Sequence, residues 1–291
     1  MIAIGGLLFT LVCVFGGFAL SGGSVIAVAK GLPFELLTIC GAAAGSFIMA
    51  NSIHVVRATL SGLKSVLAGT RYRQDDYIGL LSLLYRLIRL LATKGIMAVE
   101  SHIENPWDSP IFKEYPKILR NEEVVLMICD YFRMISMDAD DPHQVEDVMA
   151  RELKKTLVEK MHPVNALMGM ADGLPALGII AAVLGVIKTM THINESPMVL
   201  GEMIGGALVG TFLGVLLAYC LVGPIAGRLK QVIEEEARFL EVIRATVVSH
   251  LHGNPPQVSI ETGRKMVPNE FMPTFGSLEA TLEQGGAGAR S

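Results

Sequence analysis

Two stretches decide the fold: Leu174–Ile187, LPALGIIAAVLGVI, and Met203–Gly227, MIGGALVGTFLGVLLAYCLVGPIAG. Both are apolar and neither contains a carboxylate. The first carries Pro175 near its start, and the second carries a stripe of small residues. Each reads as a membrane helix, and the two together read as walls of a path whose charge this chain does not own. Asp172 and Lys188 bracket 15 uncharged residues, only ~22 Å of helix at 1.5 Å per residue. Lys188 can snorkel to the interface, and Val164 to Ala171 can extend the helix on the other side.

Working outward, the 291 residues are 51% hydrophobic and only 18% charged, with mean hydropathy +0.48. Soluble domains of this length are seldom so apolar. Residues 1–29 hold no charge, and a spanning helix needs ~20 predominantly apolar residues. No basic segment precedes that run, which argues for a retained span rather than a cleaved leader. The expected spans are 1–22, 34–53, 171–191 and 201–226, with Glu35 at the start of the second. The first pair is expected to turn at Gly31-Leu32-Pro33 and the second near Asn194-Glu195-Ser196-Pro197.

Of the 24 Lys and Arg residues, 15 fall in 54–170 and seven in 227–291. Arg57, Lys64, Arg228 and Lys230 lie close to span ends, so both termini and the long middle segment are expected on the cytoplasmic side. The fold class is an all-α membrane protein with four transmembrane helices and a helical cytoplasmic domain. Its expected parts are 1–55 (spans one and two), 56–170 (cytoplasmic helices), 171–227 (spans three and four) and 228–291 (an amphipathic helix and a partly disordered tail).

The middle segment reads as helical. Ile78, Leu81, Leu84, Tyr85, Ile88 and Leu91 form a helix-period stripe. Gly95 interrupts it, Ile96 to Ile103 resume it, and Asn105-Pro106 end it. Asn121 is placed to cap Glu122 to Ser136. Asp140 or Asp141 caps a helix that begins at Pro142 and is expected to stop near His162, before Pro163. After span four, Leu229, Val232, Ile233, Phe239, Leu240 and Ile243 line one side of an amphipathic helix ended by Gly253 and Pro255-Pro256. Beyond Glu283 the chain is Gly- and Ala-rich, the composition of a disordered tail.

Several chemistries lack support. Cys13, Cys40, Cys129 and Cys220 form no CxxC pair, so neither a disulfide framework nor a zinc site follows. His250 and His252 are two apart and share no helix face. Asp138-Ala139-Asp140-Asp141 lacks the glycine and terminal glutamate of a calcium loop. No P-loop, HExxH or GxSxG occurs, so no catalytic site, metal or cofactor is expected. No basic stripe with interleaved aromatics points to nucleic acid.

Within the spans, Gly206, Gly210, Gly214 and Ala218 recur every four residues on one face. Small faces let helices approach in lipid, either as plain packing or as packing that shapes a narrow cleft. Thr211 either returns its hydroxyl to its own backbone or lines a path. Pro175 and Pro224, at matching depth, suggest a hinge. A cation path normally needs a carboxylate at depth; the acids nearest these two spans, Asp172 and Glu202, stand at span ends.

Asp172-Gly-Leu-Pro-Ala-Leu-Gly-Ile179 and Val209-Gly-Thr-Phe-Leu-Gly-Val-Leu-Leu-Ala-Tyr219 resemble the third and fourth membrane helices of the MotA family of flagellar motor stator subunits, relatives of the ExbB and TolQ energisers. Leu83-Leu-Tyr-Arg-Leu87, Ile103-Glu-Asn-Pro106 and Thr262-Gly-Arg-Lys265 resemble its cytoplasmic parts. The resemblance covers nearly the whole chain. It implies a ring, a pentamer, around two MotB-like single-span subunits that supply the missing aspartate. It further implies torque on the rotor protein FliG, coupling through Pro175 and Pro224, and an ion route lined by Thr211. Ala182 stands where sodium-driven relatives carry threonine, which favours H+ over Na+. Glu100 matches the family's acidic rotor contact, but the basic partner falls on Ala92; Arg89 and Lys94 flank it and can substitute, unless they are merely solvated charges. The expected setting is the bacterial inner membrane, with lipid around the spans. The competing readings are an ExbB/TolQ-like energiser of envelope transport and a non-conducting scaffold.

Overall fold

The computed structural model describes residues 2–68, 72–137 and 141–287. Asp138 to Asp140, the cap candidate Asp140 among them, and residues 288–291 of the tail lie outside the described residues. The helices are α1 (Ile2–Leu20), α2 (Val25–Ala50), α3 (Ile53–Ala68), α4 (Gln74–Lys94), α5 (Ile96–Glu104), α6 (Pro110–Lys113), α7 (Pro116–Leu119), α8 (Glu122–Ser136), α9 (Pro142–Met190), α10 (Pro197–Leu216), α11 (Gly223–Leu251), α12 (Pro256–Met266) and α13 (Phe275–Ala287). A π-helical segment, Leu217–Val222, joins α10 to α11. The chain divides into two compact units, Met1–Gly69 with Lys160–Val232, and Thr70–Glu159 with Ile233–Ser291.

The first unit holds the apolar helices. Among the described residues, Gly31–Ala50, Pro142–Met190 and Pro197–Leu251 are long and apolar enough to cross a membrane, and Ile4–Leu20 is a shorter apolar helix. Their outward faces are apolar: Ile179, Ile180, Val183, Leu184 and Ile187 of α9 are all exposed. Such a surface suits hydrocarbon, not water.

Two expected boundaries are corrected. The first hairpin turns at Ser21–Ser24, where Gly22 adopts φ 86°, and not at Gly31–Pro33. Pro33 lies inside α2, and Pro163 lies inside α9 without ending it. A proline removes one backbone hydrogen bond, which a long helix held on both sides of the break can tolerate. The helix that carries the fourth span starts at Pro197, four residues before the expected span, because Ser196 accepts from the Val199 N–H and Pro197 suits the first helical position.

The second unit has a conventional core. In α4, Leu80, Leu81, Leu83, Leu84, Leu87 and Ile88 are buried against Val125, Ile128 and Phe132 of α8 and Phe239, Ile243 and Val247 of α11. Each such side chain contributes ~1.5–3 kcal/mol by leaving water. Leu80, Leu83 and Leu87 lie off the expected stripe because α4 is central and is covered on more than one side. Tyr72 stacks on Phe239 with ring centroids 3.8 Å apart. Burial, with Glu235 adding, pushes the Tyr77 phenol up to about 12, and burial pushes the Cys129 thiol up to about 12, leaving it inert.

Helix ends follow local chemistry. Asp76 accepts from the Arg73 N–H at 2.9 Å, and Gly95, φ 77°, separates α4 from α5. Asp141 caps α9, accepting from the His143 N–H at 2.9 Å. Asn121 stands before α8 as expected but does not cap it; its amide donates to the Tyr72 hydroxyl at 2.7 Å. α13 extends through Ala287, so the first four residues beyond Glu283 are helical, while the rest of the expected disordered tail lies outside the described residues.

Arg264 is a buried anchor. It is 6% exposed, donates to both oxygens of Glu261 at 2.6 and 2.7 Å, and donates to the Pro273 carbonyl at 2.8 Å. Arg264→Ala should cost about 2 kcal/mol, lowering Tm in detergent by roughly 4–8 °C. The Arg264 hydrogen bond, partly opposed by burial, lowers the Glu261 pKa. A folded pKa below the unfolded one stabilises above the unfolded value and loses that contribution as pH falls through the folded one. The gap between wild type and variant should therefore narrow below about pH 4.

Candidate functional site

The small-residue face of α10 meets a matching face on α9. A methyl group on Gly178 would lie 2.8 Å from the Gly210 carbonyl oxygen, and one on Gly214 would lie 2.7 Å from the Leu174 carbonyl oxygen. Gly185 is closed by Ala207 in the same way, at 2.6 Å. The helices thus touch backbone to backbone, as association in lipid favours. Ala218 is fully buried. Gly206 departs from the expected stripe: nothing lies within 4 Å of a methyl group there, and it neighbours Gly31 of α2 instead.

The largest correction concerns charge. Because α2 begins at Val25, Glu35 is its eleventh residue and stands well inside the helix, ~15 Å from its start. Its Oε2 lies 2.7 Å from the point a methyl group on Gly210 would reach. Glu35, Thr38, Ala181, Lys188, Thr189 and Glu202 all line a cleft of about 900 Å³ among α2, α9 and α10. Glu35 therefore stands inside α2 rather than at the start of that helix, although it is the fifth residue of the apolar stretch Gly31–Ala50; the apolar interiors of spans three and four hold no carboxylate, as expected. The acid was visible in the sequence, but its place within α2 depended on the position of the turn.

Ala182 sits at the α9–α10 contact, its backbone nitrogen 3.2 Å from a methyl group on Gly210. Thr211 follows Gly210, is half-buried, and does not line the Glu35 cleft. Thr10, Thr38, Thr59 and Thr189 donate to the carbonyl four residues earlier; among the described residues the Thr211 hydroxyl makes no such bond.

Pro175 lies inside the 49-residue α9, so the carbonyl of Ala171 loses its helical partner. Pro224 lies just after the π-helical segment, in which the Gly223 N–H donates to the Ala218 carbonyl. A π-turn widens the ladder where a proline withholds a donor, and such turns recur at functional sites. Nothing in the residue pattern announced it.

In the second unit, Arg89, Lys94 and Glu100 are exposed, as is Ala92, and none of the three charges has an ion-pair partner among the described residues. Arg89 and Lys94 share a cleft of about 650 Å³ with Tyr85, Glu114 and Leu282. Glu100 stands on α5, beyond Gly95, and does not line it. Neighbouring charges are structural instead: Arg86 pairs with Glu114, and Arg133 bridges Glu104 at 2.8 Å and the Ile103 carbonyl at 3.2 Å.

Two family models match the chain, "Motility protein A N-terminal" over residues 4–95 and "MotA/TolQ/ExbB proton channel family" over residues 117–242. Motility protein A of Escherichia coli (strain K12) is 37% identical over 96% of this chain and 94% of its own length. This chain belongs to the motility protein A (MotA) family. Chemotaxis protein LafT of Vibrio parahaemolyticus is 35% identical over 96% of this chain and 97% of its own length. The fold matches the solved MotAB of C. jejuni, with TM-score 0.75 and 18% identity over 94% of this chain and 98% of that one. It also matches the flagellar MotAB stator complex of Bacillus subtilis, with TM-score 0.69 and 21% identity over 95% and 97%. The MotA-family fold is thus a set of membrane helices with a helical cytoplasmic domain, and the family places the chain among membrane-embedded flagellar stator and proton-channel proteins.

Proposed function

We propose that this chain, with a MotB-like single-span partner, couples inward proton flow to torque on the flagellar rotor. The observation that carries the proposal is the backbone contact of α9 with α10 beside the Glu35 cleft. It builds a close-packed wall beside a cleft lined by polar groups, in a family of proton channels. The partner's aspartate carries the proton at the wall, and Thr211 faces the route. Glu35, with Lys188 and Glu202 around it, is this chain's own charged contribution at the cleft. Ala182 offers no oxygen to a partly dehydrated sodium ion, so the transported ion is H+.

Five copies surround the partner in the bacterial inner membrane, with both termini and the second unit in the cytoplasm. Arg89, Lys94 and Glu100 meet FliG. Exposed pairs are individually worth ~0–1 kcal/mol, so the contact works by steering with several charges together. The chain needs no cofactor and catalyses no bond-breaking reaction.

Co-purification with the single-span partner, followed by proton flux in vesicles, tests the proposal. Flux is expected from the complex and not from this chain alone; flux from the subunit by itself contradicts it. Swimming speed should follow the proton gradient at fixed sodium. A speed that rises with sodium at fixed pH would overturn the assignment resting on Ala182.

A further inference from the structure

His143, Glu146 and His252 meet in the second unit. Asp141 fixes the first turn of α9, and within that helix His143 and Glu146 are three residues apart, hence on one face. His252 follows the end of α11 and reaches them across 106 positions of sequence. Its Nε2 lies 3.2 Å from Glu146 Oε2, and its ring stands edge-on to that of His143 with centroids 4.9 Å apart. One ligand atom from each of the three residues lies within 4.8 Å of the others.

We propose that these three residues bind a divalent transition-metal ion, with zinc the natural occupant. Two imidazole nitrogens and one carboxylate oxygen are a zinc donor set that leaves a fourth position to water. Imidazole selects against magnesium and calcium, which take oxygen ligands. Tetrahedral donors at ~2.0–2.1 Å from zinc stand ~3.3 Å apart; His252 and Glu146 already meet that spacing at 3.2 Å, and His143 closes by at most about 1.5 Å on binding. His143 and His252 are exposed and free to rotate inward. Glu146 is already oriented: Arg244, itself held by Glu241 at 2.5 Å, contacts its other oxygen at 3.5 Å. That is the supporting contact a ligating carboxylate needs. A plain ion pair would account for His252 with Glu146 and leave the second imidazole without a role. The bound ion would clip the start of α9 to the end of α11, much as a crosslink does.

The test uses the full-length chain in detergent, purified without a histidine tag and stripped with chelator. Zinc titration by calorimetry is expected to show one saturable site per chain, and saturating zinc should raise Tm on the order of 5 °C. Cobalt(II) should give the visible spectrum of a four-coordinate site. His143→Gln and His252→Asn should each weaken binding at least ~10-fold, and His162→Asn, an exposed histidine elsewhere, should not. Chelator-treated variants should melt with the chelator-treated wild type, which separates lost ligation from misfolding. No saturable site in the wild type, or equal affinity in the His143→Gln/His252→Asn double variant, would overturn the proposal.

Discussion

Gly214→Ala is expected to stop swimming and to reduce the amount of stator complex recovered from the membrane, while Gly206→Ala leaves both unchanged. The new methyl group at 214 would meet the Leu174 carbonyl at 2.7 Å and the Gly178 Cα at 2.8 Å. Both are backbone atoms on a neighbouring helix, so α9 and α10 must separate to admit it. Overpacking of this kind costs typically 1–3 kcal/mol, and an obstacle that cannot rotate aside puts this case near the top. That is roughly a 30- to 150-fold loss of the closely packed arrangement. In lipid no hydrophobic term offsets the loss, because the tails are as apolar as the helix. Gly210→Ala should fall between the two, since its methyl group would meet the movable Glu35 carboxylate at 2.7 Å and Ala181 at 3.1 Å. Equal behaviour of Gly206→Ala and Gly214→Ala in motility plates would show that the stripe is generic packing and would remove the argument for a shaped wall.

Pro175→Ala should abolish rotation while leaving the complex assembled. The proline leaves the Ala171 carbonyl without its helical partner inside a helix that is continuous on both sides. Alanine supplies the missing N–H, and the exchange favours a straight helix by up to ~3 kcal/mol. The variant is thus expected to be at least as stable as wild type and yet unable to bend where coupling requires it. The Leu174 carbonyl, beside that proline, is the group against which Gly214 packs, so a bend there moves the α9–α10 contact directly. Partner co-purification should be unchanged and tethered cells should not rotate. Normal swimming in this variant would remove the hinge from the mechanism.

Much of this was legible from residue pattern. The ends of α4 and α5 were set by Gly95 and Asn105-Pro106, and the start of α9 by Asp141-Pro142. These are local signals: a positive φ, a missing donor, a residue pushed out of the α region. The prolines inside long helices misled, because Pro33 and Pro163 carry the same local signature as a terminator. Whether a helix survives one lost hydrogen bond depends on the packing of the segments on each side. The Ser21-Gly22-Gly23-Ser24 turn was equally visible, and a turn there puts Glu35 inside α2.

Composition and spacing alone determined that this is a membrane protein of apolar helices with a polar helical domain, and the motifs around Pro175 and Thr211 determined its family. These properties depend on solvent preference and on hydrogen bonds a few residues apart, which a linear string encodes directly. Only the tertiary structure decided that Gly214 and not Gly206 bears the close contact, that a π-turn precedes Pro224, that Glu35 opens on a cleft, and that His143, Glu146 and His252 converge. Each of those depends on distances between residues remote in sequence, which packing sets and periodicity does not.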